Sequence, residues 1–226
     1  MGTVLISLLP FIIGSAVVPV QIIVSLLLLK SPDQGLLKAV GFVSRMTITR
    51  LFQGLIFGFI LSESSAIAAG ENSKNPVIST LLLVLGILLL IAAYKKWRGE
   101  DDPDDSPPKL LTMIDNLTPL KAFGVGLGLP LIAAKLWVFT LSALATIASA
   151  QLGQSSSAIV YLLFILLAES LLILPILVRI LMPERSQHSL AKLSVWLTHN
   201  SRPITVIVSI VFGLFFLKSG ISGLLA

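Results

Sequence analysis

Residues 157–181 read SAIVYLLFILLAESLLILPILVRIL. The run is apolar almost throughout and longer than the roughly 20 helical residues that cross a hydrocarbon core of about 30 Å. Lipid offers no partner to backbone polar groups, so a segment of this kind is a helix. One carboxylate, Glu169, stands at its midpoint among Leu, Ile and Ala. A charge at that depth costs at least about 2.5 kcal/mol and does not face lipid. The segment therefore predicts a helical membrane protein with a polar interior.

Five further runs fit the same description, at about 4–29, 36–61, 77–94, 122–148 and 203–225. The first reads as a span rather than a cleaved leader, because it lacks a basic start, is too long, and holds Pro10 and Pro19. Composition agrees: of 226 residues 55% are hydrophobic and 12% charged, against roughly a quarter charged in soluble domains. The absence of cysteine excludes disulfides, thiol redox chemistry, iron–sulfur clusters and Cys-based zinc sites. Both histidines, His188 and His199, fall in one polar stretch, which excludes a His-rich metal centre within the spans. No cofactor is expected beyond a coupling ion, H+ or Na+.

The net charge of +5 could suit nucleic acid, but its distribution points to topology instead. With six spans, the loops after spans 1, 3 and 5 and their helix ends carry eleven Lys and Arg; the opposite side carries Lys74 and Lys218. Basic loops face the cytoplasm, so both termini are expected outside. Residues 99–109, GEDDPDDSPPK, read as a solvated acidic linker without the glycine turn of a calcium loop. Residues 189–199, SLAKLSVWLTH, space Leu190, Leu193, Trp196 and Leu197 helically and predict a short interfacial helix.

An internal repeat organises the spans. Span 3 opens at Asn75-Pro76 and reaches Gly86; span 6 opens at Arg202-Pro203 and reaches Gly213, each ten residues after its proline. Spans 1 and 4 share an entry proline (Pro10, Pro119), glycines, and an inner proline (Pro19, Pro130). Spans 2 and 5 carry the deepest charge. The expected fold is an all-α membrane protein of six transmembrane helices in a 3+3 inverted repeat, N-out and C-out. Its parts are a first half, 1–98, a linker, 99–118, and a second half, 119–226.

The ionisable residues within spans are Arg45, Arg50, Lys135 and Glu169. Gly54 and Gly58 share the face of Arg50, the kind of face that packs closely on another helix. Arg50 is thus expected to point inward, flanked by Thr47 and Gln53, and to approach Glu169 near the midplane. Arg45 lies about one turn nearer the cytoplasm and can reach headgroups. Lys135 shares a stripe with Gly128 and Ser142. Pro19 and Pro130 each free a carbonyl one turn earlier, which helps unwind a helix beside a cavity. Gly86 and Gly213 are read as packing positions.

Two readings of Arg50 and Glu169 stand side by side: a pair that only fixes helix positions, and a site where Arg50 meets an anionic group and Glu169 carries a proton or cation. Three deep cations against one carboxylate favour an anion. If Arg45 and Lys135 reach the cytoplasmic face instead, the site is a near-neutral pair. No nucleophile–base pair lies within the spans, so an enzyme is not expected.

The stretch Pro19 with VQIIVSLLLLKSP, followed by AVGF and TRLFQG in span 2, resembles the sulfolipid-addressing (peptidoglycolipid-addressing) proteins of the lysine-exporter superfamily. LTPLKAFGVGLGLPLIAAK is similar to the second half of that family, with Ala133-Ala134-Lys135 where members carry Asn-Pro-Lys. Arg45 stands where a small residue is usual. The resemblance implies a multi-pass exporter of the bacterial plasma membrane, linked to lipid or glycolipid components, and it names no substrate. The expected partners are the bilayer and a small-molecule or lipid substrate, with no nucleic acid; a homo-oligomer stays open. The alternative is a non-transporting accessory protein of a lipid or envelope export machine.

Overall fold

The computed structural model describes residues 2–31, 33–68, 76–100 and 134–225. They form eight helices: α1 (Gly2–Ala16), α2 (Pro19–Lys30), α3 (Gly35–Ala68), α4 (Pro76–Arg98), α5 (Ala134–Ser149), α6 (Gln154–Ala168), α7 (Ser170–Leu181) and α8 (Pro183–Leu224). No strand occurs among the described residues. Within α4 and α8, Ser79–Arg98 and His188–Leu224 are long and apolar enough to cross a membrane; the count rises to four if each of two bent pairs is one span. Pro130, the glycines of span 4 and residues 101–118 of the linker lie outside the described residues.

The expected first span is two helices, α1 and α2, bent by 56°. Pro19 opens α2, and Val18 before it is extended at φ −81° and ψ 107°. Proline bars its predecessor from the helical region and supplies no N–H to the residue four back. The carbonyl so released belongs to Ser15.

The expected fifth span is also two helices, α6 and α7, bent by 60°. The bend falls at Glu169, at φ −96° and ψ 1°, in the bridge between the helical and extended regions. No proline stands at this break; Pro175 lies further along, inside α7. The bend coincides with a polar tether from Glu169 to α3.

Residues 189–199 are helical but do not form a separate short helix. They continue into the last span as one 42-residue helix that runs through Pro203. Such a helix is about 63 Å long, twice a hydrocarbon core. Leu190 and Leu197 hold its first half by burying themselves in an apolar cluster, where α8 packs on α2 and α7, while Trp196 is exposed.

Helices α4 and α8 pack antiparallel, backbone to backbone. A Cβ on Gly86 would stand 2.8 Å from the Leu217 amide nitrogen and 2.9 Å from the Gly213 carbonyl oxygen. One on Gly220 would stand 2.7 Å from the Leu83 nitrogen. Small residues permit this approach, which maximises dispersion contact where lipid supplies no hydrophobic drive. At the far end Arg202 donates to the carbonyls of Lys96 and Trp97 in the last turn of α4, where helix carbonyls lack their usual partner four residues on.

The core divides in two. One cluster gathers Leu8, Phe11, Phe139, Phe164 and Phe216; the other gathers Ile23, Leu26, Phe42, Met46 and Leu172. Along α1–α2 and along α6–α7 the chain passes from the first cluster to the second at the bend. A polar layer occupies that level.

Candidate functional site

Helix α3 brings Thr47, Arg50 and Gln53 to the polar layer on successive turns. Arg50 is 2% exposed and Glu169 1% exposed. Arg50 Nε lies 3.3 Å from Glu169 Oε1. That oxygen makes no aligned hydrogen bond, so the contact is an ion pair rather than a fork. The other carboxylate oxygen, Oε2, accepts from Thr47 Oγ1 at 2.6 Å. On its far side Arg50 donates from Nη2 to Ser15 Oγ at 2.8 Å. The guanidinium also lies 5.9 Å from the centroid of the Phe164 ring, within reach of its π face.

Tyr161 of α6 anchors the backbone of the same turn. Its hydroxyl donates to the Arg50 carbonyl at 2.6 Å, and its ring rests on Gly54, where any Cβ would collide with it. Gly54 thus seats Tyr161, whereas Gly58 meets only Leu144 at an ordinary 3.8 Å. Removing one member of a buried pair leaves an uncompensated charge, at about 3–5 kcal/mol.

Several buried polar atoms have no hydrogen-bond partner among the described residues. They include Arg50 Nη1 and Gln53 Nε2 on α3, Gln21 Nε2 and Ser25 Oγ on α2, and Thr140 Oγ1 and Ser142 Oγ on α5. Native interiors hold few such atoms, and each calls for a reason. Helix α5 packs on both α1 and α3, with the Phe139 ring against Gly14, the neighbour of Ser15.

Thr47 carries a further feature. Its Oγ1 lies 2.6 Å from Glu169 Oε2 and 3.0 Å from the Val43 carbonyl oxygen. One hydroxyl proton cannot serve both acceptors at once.

The structure therefore brings Arg50, Glu169 and Thr47 into contact and places Gln53 one turn on. Pro19 stands at the α1–α2 break, beyond the Ser15 that receives Arg50. Ser142 is buried on α5. Lys135 falls in the first turn of α5 with its side chain outside the described residues, and Arg45 is half-buried. Gly86 and Gly213 serve the α4–α8 contact, away from the charges. Sequence reasoning missed Ser15 and Tyr161. The signals were present: Ser15 lies four residues before Pro19, and Tyr161 is a hydroxyl in an apolar run that needs a partner.

A bundle of apolar helices, with two bent pairs that meet at one buried ion pair, defines a helical membrane protein with a charged interior site. The profile of the sulfolipid-1-addressing protein (Sap) family matches residues 8–222, and the chain belongs to that family. No curated protein and no solved structure matches it.

Proposed function

We propose that the protein is a secondary transporter, an exporter of the bacterial plasma membrane, with its substrate and ion path at the Arg50–Glu169 layer. The observation that carries this reading is the junction of two bent helix pairs at one buried ion pair. Discontinuous helices at a charged midplane are how many secondary transporters build a site, since helix ends there leave polar groups for ligands. Six spans in a 3+3 inverted repeat, N-out, complete the proposal. The face-to-face contact of Gly86 and Gly213, each ten residues after its proline, supports the repeat.

Arg50 is the group that meets the substrate, an anionic small molecule or a lipid or glycolipid component. Glu169 is the carrier of the coupling ion, H+ or Na+. The family's description by its sulfolipid suits an anionic amphiphile. The word "addressing" in that description supports a second reading, an accessory protein of a lipid export machine that moves nothing itself. Flux by the purified protein in liposomes separates the two. Transport that Glu169→Gln abolishes, with the folded protein still inserted, supports the first reading; absence of flux for every anion tried supports the second.

A further inference from the structure

We infer that an oxyanion and the Glu169 carboxylate compete for the Arg50 guanidinium, so that one anion binds together with one proton. The inference rests on the transporter reading of the same site and adds its ligand chemistry and its coupling. Arg50 Nη1 and Gln53 Nε2, 2% and 4% exposed as residues and one turn apart on α3, are donors without partners among the described residues. Two N–H donors on adjacent turns, unpartnered among the described residues, match the acceptor oxygens of a carboxylate, sulfate or phosphate.

The guanidinium is enclosed by Ser15, Glu169 and Phe164. An anion on Arg50 Nη1 beside the ionised carboxylate at Nε would put two negative charges on one buried cation, so the anion replaces the carboxylate's charge rather than joining it. Among the described residues, the charged and titratable groups acting on Glu169 are Arg50 of α3 and Tyr161 of α6. If Glu169 stayed ionised after losing Arg50, it would be an uncompensated buried charge, so it takes a proton from solvent as the anion arrives. Charge balances: cation and carboxylate become cation, neutral acid and bound anion.

Thr47 accommodates both forms of Glu169. Facing a carboxylate, its hydroxyl donates to Oε2. Facing a carboxylic acid, the hydroxyl turns its proton to the Val43 carbonyl, 3.0 Å away, and accepts the acid's proton on Oγ1. Each protonation state of Glu169 is thereby hydrogen-bonded without movement of α3. Movement of a singly charged anion with its proton carries no net charge. Outward movement then follows the combined gradients of the anion and the proton and is opposed by acid outside.

The test uses the full chain in nonionic detergent with octanoate, octyl sulfate, octyl phosphate and octyltrimethylammonium as probes. Binding of octyl sulfate, which does not itself titrate, should take up about one proton, and its affinity should fall about tenfold per pH unit where Glu169 is ionised. Glu169→Gln should bind octyl sulfate with no proton uptake and no such pH dependence. Gln53→Ala should weaken binding roughly tenfold. The order of the three anions distinguishes carboxylate, sulfate and phosphate ligands. Anion binding by the wild type without proton uptake, failure to bind any anion, or selective binding of octyltrimethylammonium each overturns the inference. Proton-linked binding without flux in liposomes leaves it standing and removes only the transporter reading.

Discussion

Ser15 and Glu169 hold one guanidinium between them. The first stands at the end of α1, just before its break, and the second is the break between α6 and α7. Arg50, on the unbroken α3, ties the two bends together at the boundary between the apolar clusters. A layer built this way has its own electrostatic logic: each partner is tolerated only because the other is present.

Arg50→Ala should therefore destabilise the protein by about 3–5 kcal/mol, since it strands Glu169 among apolar side chains. Arg50→Met combined with Glu169→Leu should recover most of that loss, because a buried pair exchanged for apolar residues of similar volume is often neutral. Thermal unfolding in detergent of the two single variants and the double variant checks this. A double variant as weak as Arg50→Ala would show that the loss lies in shape and not in charge.

The glycines separate into two kinds. Gly86→Ala should cost about 1–3 kcal/mol, because its Cβ would press on backbone atoms of α8 that cannot yield without parting the helices. Gly58→Ala meets only a leucine methyl at 3.8 Å. It should be neutral, or stabilising by up to about 1 kcal/mol through helix propensity. The same unfolding measurement reads both.

The charge bias predicts that a reporter fused after Lys95 lies in the cytoplasm and one fused at Gly70 lies outside. Helix α4 begins at Pro76, after Gly70, and carries Lys95, Lys96 and Arg98 in its last turn. A single crossing between the two fusion points should thus separate the signals. Both reporters on one side would remove the six-span arrangement.

The pair at the centre was legible because its cost is so large: an arginine and a carboxylate deep in apolar runs have few outcomes other than each other. The bends were legible unequally. Pro19 announces its break through its missing donor, whereas the α6–α7 break falls at Glu169 without a proline, beside a contact with α3 that no local pattern encodes. The continuity of α8 was hidden for the opposite reason. Polar residues around His199 and the proline at 203 read locally as an end, but Leu190 and Leu197 are held by tertiary burial and the helix passes through. Ser15 escaped notice because a serine is cheap in a helix, and its use depends on a partner from another span.

Thr47 offers the finest probe of the charge state at this layer. If its hydroxyl serves an ionised Glu169, Thr47→Val removes a hydrogen bond to a charged group, worth about 1.5–3 kcal/mol. Thr47→Ser should restore most of it, since the serine hydroxyl can reach the same Oε2 that now accepts at 2.6 Å. In a Glu169→Gln background the bond is neutral, and Thr47→Val should cost only about 0.5–1.5 kcal/mol. The cycle of Thr47→Val against Glu169→Gln, read from unfolding in detergent, should therefore show a coupling of about 1 kcal/mol or more. An equal cost in both backgrounds would mean that the hydroxyl spends its proton on the Val43 carbonyl in either state. The ionised Glu169 would then be held by Arg50 alone, with no hydrogen bond from Thr47 to lose on protonation.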